Sequence, residues 1–196
     1  DPGLRATRQP PRDDIDAVSV TGPNFVHREV AVAAAQTGKH LWIEKPAGRN
    51  AAETRAICDA VRASGVHSAA GFNYRNAPAV ELARELISEG RLGRINHVLI
   101  RLLADYAAHP DGALTWRFKT ERAGSGVLGD LASHGVDLSR YLIGEITELV
   151  CDDATFVTQR PEASMAVSHF SRVTDGPIGG VENEDYIAAL LHFRGG

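Results

Sequence analysis

The chain alternates short apolar runs with longer amphipathic stretches, and the spacing predicts an order of elements. "DAVSVTG" (residues 16–22) reads as a short strand closed by a glycine turn. "NFVHREVAVAAAQTGK" (24–39) reads as an alanine-rich helix with Gly38 at its C-terminal cap. "HLWIEKP" (40–46) is a second strand. "NAAETRAICDAVRASG" (50–65) is a second helix, opened by a capping box of Asn50 and Glu53 and stopped by Gly65. "HSAAGFN" (67–73) is a third strand.

This β-α-β-α-β order predicts parallel strands joined by helical crossovers. The strands are apolar without alternation, as expected of strands covered on both faces. Ligands of such sheets bind beyond the carboxyl ends of the strands. Residues 21–24, 44–46 and 71–75 therefore face the ligand side. Pro46 lacks a backbone donor and ends the second strand there.

Past Tyr74 the pattern changes. Pro78 opens a helix, "PAVELARELISEG" (78–90), that Gly90 ends. "RINHVLIRLLADY" (94–106) reads as a long strand and "GVLGDLASHGVDLSRYLIG" (126–144) as a helix. "ITELVCDDATFVTQ" (146–159) and "NEDYIAALLHF" (183–193) read as further strands. Strands that follow one another without helical crossovers predict an antiparallel sheet. The expected division is an α/β unit over residues 1–73 and an α+β unit over 74–196.

Two sites of chemistry stand out. Lys45 follows a strand on the ligand side, where a Glu-Lys pair is otherwise an ordinary surface ion pair. Asp130, His134, Asp137 and Tyr141 share one helical face at i, i+4, i+7 and i+11. Such a stripe is usually a solvated face. Here one histidine has a carboxylate a turn away on each side, which is expected to orient the ring and raise its basicity, as suits a general base. With one histidine and no third neutral ligand, the stripe is a poor metal site.

Composition narrows the classes. With 21 basic and 25 acidic side chains the formal net charge is -4, which argues against nucleic acid or an anionic membrane as partner. No apolar run approaches the roughly 20 residues of a membrane span. The first residues lack the apolar core of a signal peptide. Cys58 and Cys151 show no zinc spacing and read as reduced thiols of a cytoplasmic protein.

These residues carry a resemblance. The stretches at 16–54, "GFNYRNAPAV" (71–80) and "AGSGVLGDLASHGVDLSRYLIG" (123–144) resemble the glucose-fructose oxidoreductase / inositol dehydrogenase (Gfo/Idh/MocA) family. The resemblance implies a Rossmann-type parallel sheet plus an α+β C-terminal domain on an open, mostly antiparallel sheet that often packs against a partner subunit. It implies NAD or NADP as cofactor and a sugar, inositol or related polyol as substrate. Lys45 would sit near the nicotinamide and the reacting oxygen, His134 would be the acid/base, and Asp130 would bind substrate or steer the histidine. Thr21, Pro23, Asn24, His27, Glu44, Lys45, Pro46, Asn73, Arg75, Trp116 and Arg117 would meet the cofactor, and Tyr74 would meet substrate with Lys45, Asp130 and His134. Tyr106, His109, Trp116 and His169 join Tyr74 as expected cleft-lining side chains.

The chain departs from the family at its start, where no G-x-G-x-x-G turn precedes Asp16. The expectation is a partial Rossmann unit lacking its first βαβ and a C-terminal unit short of a strand, which alone would hold dinucleotide weakly. Two other readings stay open: an NAD-dependent glycoside hydrolase of the same superfamily and a non-catalytic member.

Overall fold

A computed structural model describes residues 12–164, 167–168 and 170–194. Three parallel strands, β1 (Ala17–Val20), β2 (His40–Ile43) and β3 (Ser68–Ala70), lie side by side in that order. Helices α1 (Asn24–Gln36) and α2 (Ala51–Ser64) make the crossovers. Because neighbouring strands follow in sequence, both crossovers turn the same way and the two helices pack together. The core is Val20, Ala31, Ala34, Ala35, Leu41, Ile43 and Ile57. The alanines of α1 let its backbone approach the sheet closely.

Burial alternates along β2, with Leu41 and Ile43 inside and Trp42 exposed, and all of β3 is exposed. This corrects the expectation of strands covered on both faces. Among the described residues the helices that follow these strands cover one face of the sheet. Both helix ends fit the reading. Gly38 and Gly65 take positive φ of 76° and 65°. Asn50 accepts a bond from the Glu53 N–H at 2.9 Å, while the Glu53 carboxylate accepts from the Arg49 N–H, one residue before the reciprocal partner of a capping box.

A 3₁₀ turn at Asn73–Asn76 leads into α3 (Pro78–Ser88), which Gly90 ends. The segment 94–106 joins no ladder, and its Leu99 and Leu103 are 77% and 83% exposed. Its strand pattern therefore lacks a paired neighbour among the described residues, and a strand exists only as part of a ladder. A 3₁₀ turn at Trp116–Phe118 and the short α4 (Thr120–Ala123) follow. The predicted helix then begins as a π-helical turn, Leu128–Ala132, and continues as α5 (Ser133–Leu142).

β4 (Ile146–Ala154) pairs antiparallel with β7 (Tyr186–Phe193), and β5 (Gln159–Pro161) with β6 (Ile178–Gly180). The stretch 146–159 thus divides between two ladders. No helix among the described residues is long and apolar enough to cross a membrane. Cys58 and Cys151 are free thiols.

Candidate active site

The turns after β1 and β2 face the segments before α5 across a cleft of about 300 Å³. The first turn contributes Thr21, Pro23, Asn24 and His27, and the second Glu44, Lys45 and Pro46. The second unit brings Trp116, Arg117, Tyr106 and Asp130.

Lys45 Nζ donates to Asp130 Oδ1 at 2.6 Å and to the Asp130 backbone carbonyl at 2.8 Å. Tyr106 donates its hydroxyl proton to Asp130 Oδ2, and Arg117 Nη1 lies 3.7 Å from Oδ1. Burial alone would raise the Asp130 pKa. The bonds from Lys45 and Tyr106 and the charges of Lys45 and Arg117 outweigh it and hold the carboxyl below the usual carboxylate range. Burial first, then the bond to Asp130, pushes the Tyr106 phenol up, so it stays protonated as a donor.

His134 is 6% exposed, with Tyr74 stacked on it at 4.3 Å and Phe72 edge-on at 5.7 Å. Among the described residues its buried Nδ1 has no hydrogen-bond partner. The flanking carboxylates do not orient the ring as the stripe suggested. Asp130 is turned to Lys45, and Asp137 takes the guanidinium of Arg75, with Nε 2.6 Å from Oδ2. Competition is the physical reason: Lys45 and Tyr106 take the two oxygens of Asp130, and Arg75 takes both oxygens of Asp137. The expected rise in basicity is reversed as well. Burial and the charge of Lys45 lower the His134 pKa, and the attraction of Asp130, Asp137 and Glu44 does not make up for them. A neutral imidazole with an unfilled nitrogen is the result.

The other expected residues fall in two groups. His27 is 1% exposed, and its ring nitrogens lie 2.7 Å from Gly22 O and 2.9 Å from Pro46 O, so it braces the two turns together. Asn24 donates from Nδ2 to Ala123 O at 2.8 Å and ties α1 to the second unit. Trp116 packs edge-on to Phe25, with Arg117 over its face. The Glu44 carboxylate packs against Gly71, where an added Cβ would meet it at 3.0 Å. Asn73, Tyr74, Arg75 and His134 stand beside the cleft rather than lining it. His109 is half-exposed and bonded within its own turn, and His169 lies outside the described residues.

Sequence reasoning missed Arg160, Asn183, Glu184 and Asp185, which also line the cleft. Arg160 is buried and donates to the backbone carbonyls of Ala107 and His109, holding the segment that carries Tyr106. A single arginine in a strand-like stretch carried no signal of this.

A nucleotide-type parallel sheet meeting an antiparallel α+β unit at a lysine-carboxylate pair defines a Rossmann-based class with an interdomain site. The chain belongs to the GFO/IDH/MocA family. The model of the oxidoreductase family, NAD-binding Rossmann fold, matches residues 5–72, and that of the GFO/IDH/MocA C-terminal domain matches residues 80–196. The chain is 40% identical over 185 residues to levoglucosan dehydrogenase of Pseudarthrobacter phenanthrenivorans, covering 93% of this chain and 47% of that protein. It is 32% identical to 1,5-anhydro-D-fructose reductase of Ensifer adhaerens over 91% of this chain and 50% of the relative. A levoglucosan dehydrogenase structure in complex with NADH and L-sorbose superposes with a TM-score of 0.82 at 38% identity, over 93% of this chain and 46% of that one. The chain spans about half the length of the curated relatives it matches.

Proposed function

We propose that the protein is an NAD(P)-dependent oxidoreductase that moves hydride between nicotinamide and a hydroxyl-bearing carbon of a sugar, inositol or related polyol. The observation that carries this reading is an ammonium fixed in the cleft by Asp130, close to a neutral, buried histidine with an unfilled nitrogen. Oxidising an alcohol removes hydride from carbon and a proton from oxygen. His134 accepts that proton on its imidazole. Lys45 stabilises the negative charge that develops on the oxygen, the logic of an oxyanion hole. Asp130 orients Lys45, and Tyr106 holds the second carboxylate oxygen.

A bound nicotinamide dinucleotide would supply the hydride acceptor. Its residues here would be Thr21, Pro23, Glu44, Lys45, Pro46, Trp116 and Arg117. The fit is supported by a cleft at the carboxyl ends of β1 and β2 that combines the cations Lys45, Arg117 and Arg160 with the indole of Trp116. His27 and Asn24 would act on the cofactor through the turns they brace. The similarity to levoglucosan dehydrogenase and 1,5-anhydro-D-fructose reductase makes anhydrosugars the first substrates to try, followed by inositols, aldoses and sugar acids.

The residue 73/74 boundary and a cytoplasmic setting belong to the same reading. So does self-association as a dimer or tetramer through the β4–β7 ladder, supported by exposed Leu149, Val150 and Leu190. Absorbance growth at the reduced-nicotinamide band, with the full-length protein and NAD or NADP, tests the reading. Reduction with at least one sugar is expected, and none across the panel from a folded, cofactor-loaded protein would overturn it.

A further inference from the structure

We infer that Glu184, in the turn entering β7, is a positioning residue that sets Asp130 against Lys45. This inference rests on the oxidoreductase reading of the cleft. One carboxylate oxygen of Glu184 accepts from the N–H of Gly126 at 2.8 Å and from that of Leu128 at 2.9 Å. The Glu184 backbone carbonyl accepts from the Val127 N–H at 3.1 Å. Three successive donors of the turn that opens the site helix therefore end on one residue more than fifty positions away. The next link is direct, because the Asp130 N–H donates to the Gly126 carbonyl at 3.1 Å. Glu184 holds Gly126, Gly126 holds Asp130, and Asp130 holds Lys45.

The brace is tight and anchored on both sides. A Cβ on Gly126 would lie 1.9 Å from the Glu184 carbonyl oxygen, so the two backbones touch only because residue 126 is glycine. Before Glu184, buried Asn183 donates to the Arg117 carbonyl at 2.7 Å and accepts from the Thr120 hydroxyl at 2.7 Å. After it, the Asp185 carboxylate accepts from the N–H groups of Phe156 and Val157, both at 2.8 Å. Neighbouring side chains thus fix the segments on either side of the cleft, and Glu184 cannot drift. A carboxylate suits the place because it takes two donors and faces the positive end of the helix.

A simple helix cap would affect stability alone. A positioning residue also moves the chemistry of Asp130. The test uses full-length wild type, Glu184→Ala and Glu184→Gln. In Glu184→Ala, amide hydrogen exchange at Gly126 and Leu128 is expected to speed up by about tenfold or more, and kcat to fall by about tenfold or more. Glu184→Gln keeps an acceptor of the same shape and changes both by only about threefold, so it carries the test if the alanine variant does not fold.

Unchanged exchange in a folded Glu184→Ala would overturn the contact, and faster exchange with undiminished kcat would reduce Glu184 to a cap. If the wild type moves no hydride, the oxidoreductase reading fails on its own. The Asp130 carboxyl, followed by NMR, then decides: a titration shifted upward in the variants supports positioning, and an unmoved one overturns it.

Discussion

Lys45 reaches from the end of β2 to Asp130 in the second unit, with Nζ 2.6 Å from the carboxylate and 2.8 Å from the same residue's carbonyl. The contact makes each unit incomplete without the other. Lys45→Met removes the cation proposed to face the reacting oxygen, and kcat is expected to fall by about 10²–10³-fold. Asp130→Asn leaves Lys45 only neutral acceptors, the amide oxygen and the backbone carbonyl, and is expected to cost about tenfold or more. Steady-state kinetics on variants with unchanged circular dichroism checks both. Near-parental turnover in folded Lys45→Met would remove Lys45 from the mechanism.

The state of His134 gives a pH dependence with a definite direction. On the proposed reading the neutral ring accepts the proton, and its pKa lies below the ordinary histidine value through burial and the charge of Lys45. The acidic limb of kcat/KM is therefore expected below about pH 6.5, and His134→Ala removes it with most of the activity. Lys45→Met takes away a depressing charge, so the His134 imidazole should titrate at higher pH, as NMR would record. Stability follows the same sign. Below about pH 6.5 the unfolded chain binds this proton before the folded one does, so the urea midpoint falls as pH drops through that window.

His27 separates bracing from catalysis. Its ring spans Gly22 O and Pro46 O from a buried position. His27→Ala leaves a cavity and removes the ring that lies between the Gly22 and Pro46 carbonyls, and should cost about 2–4 kcal/mol in urea unfolding. Weaker cofactor binding is expected with it, because the turns on both sides of the cleft loosen. A loss below about 0.5 kcal/mol would show that the turns hold without it.

Arg75 and Asp137 form a two-pronged ion pair, and Tyr74, next in sequence to Arg75, stacks on His134. Arg75→Ala strands the buried Asp137 carboxylate and is expected to destabilise by about 2 kcal/mol. A double-mutant cycle with Asp137→Ala should show coupling of about 1 kcal/mol or more, because the second change relieves the stranded charge. Additive effects would make the pair incidental.

Much of this arrangement was legible in the sequence, for local reasons. Gly38, Gly65 and Asn50 mark helix ends by backbone chemistry that needs no distant partner. The strand order 17–20, 40–43, 68–70 follows from chain distance. Lys45 and Asp130 were legible as motif members. What was hidden depends on long-range pairing. The segment 94–106 has a strand's pattern but no ladder among the described residues, and the i, i+4 spacing does not show that Lys45 and Tyr106 take both oxygens of Asp130. Glu184 looked like the start of a strand because its partners, Gly126 and Leu128, are glycine and leucine backbone rather than complementary side chains.

The most direct measurement follows the hydride itself. The fastest sugar or polyol of the panel, carrying deuterium on its carbinol carbon, is incubated with the full-length protein and oxidised nicotinamide cofactor, and the reduced cofactor is examined by NMR. Deuterium on the nicotinamide ring, lost together with turnover in Lys45→Met, is the result this account predicts. Reduced cofactor without the label, or label transfer that persists undiminished in Lys45→Met, would contradict it.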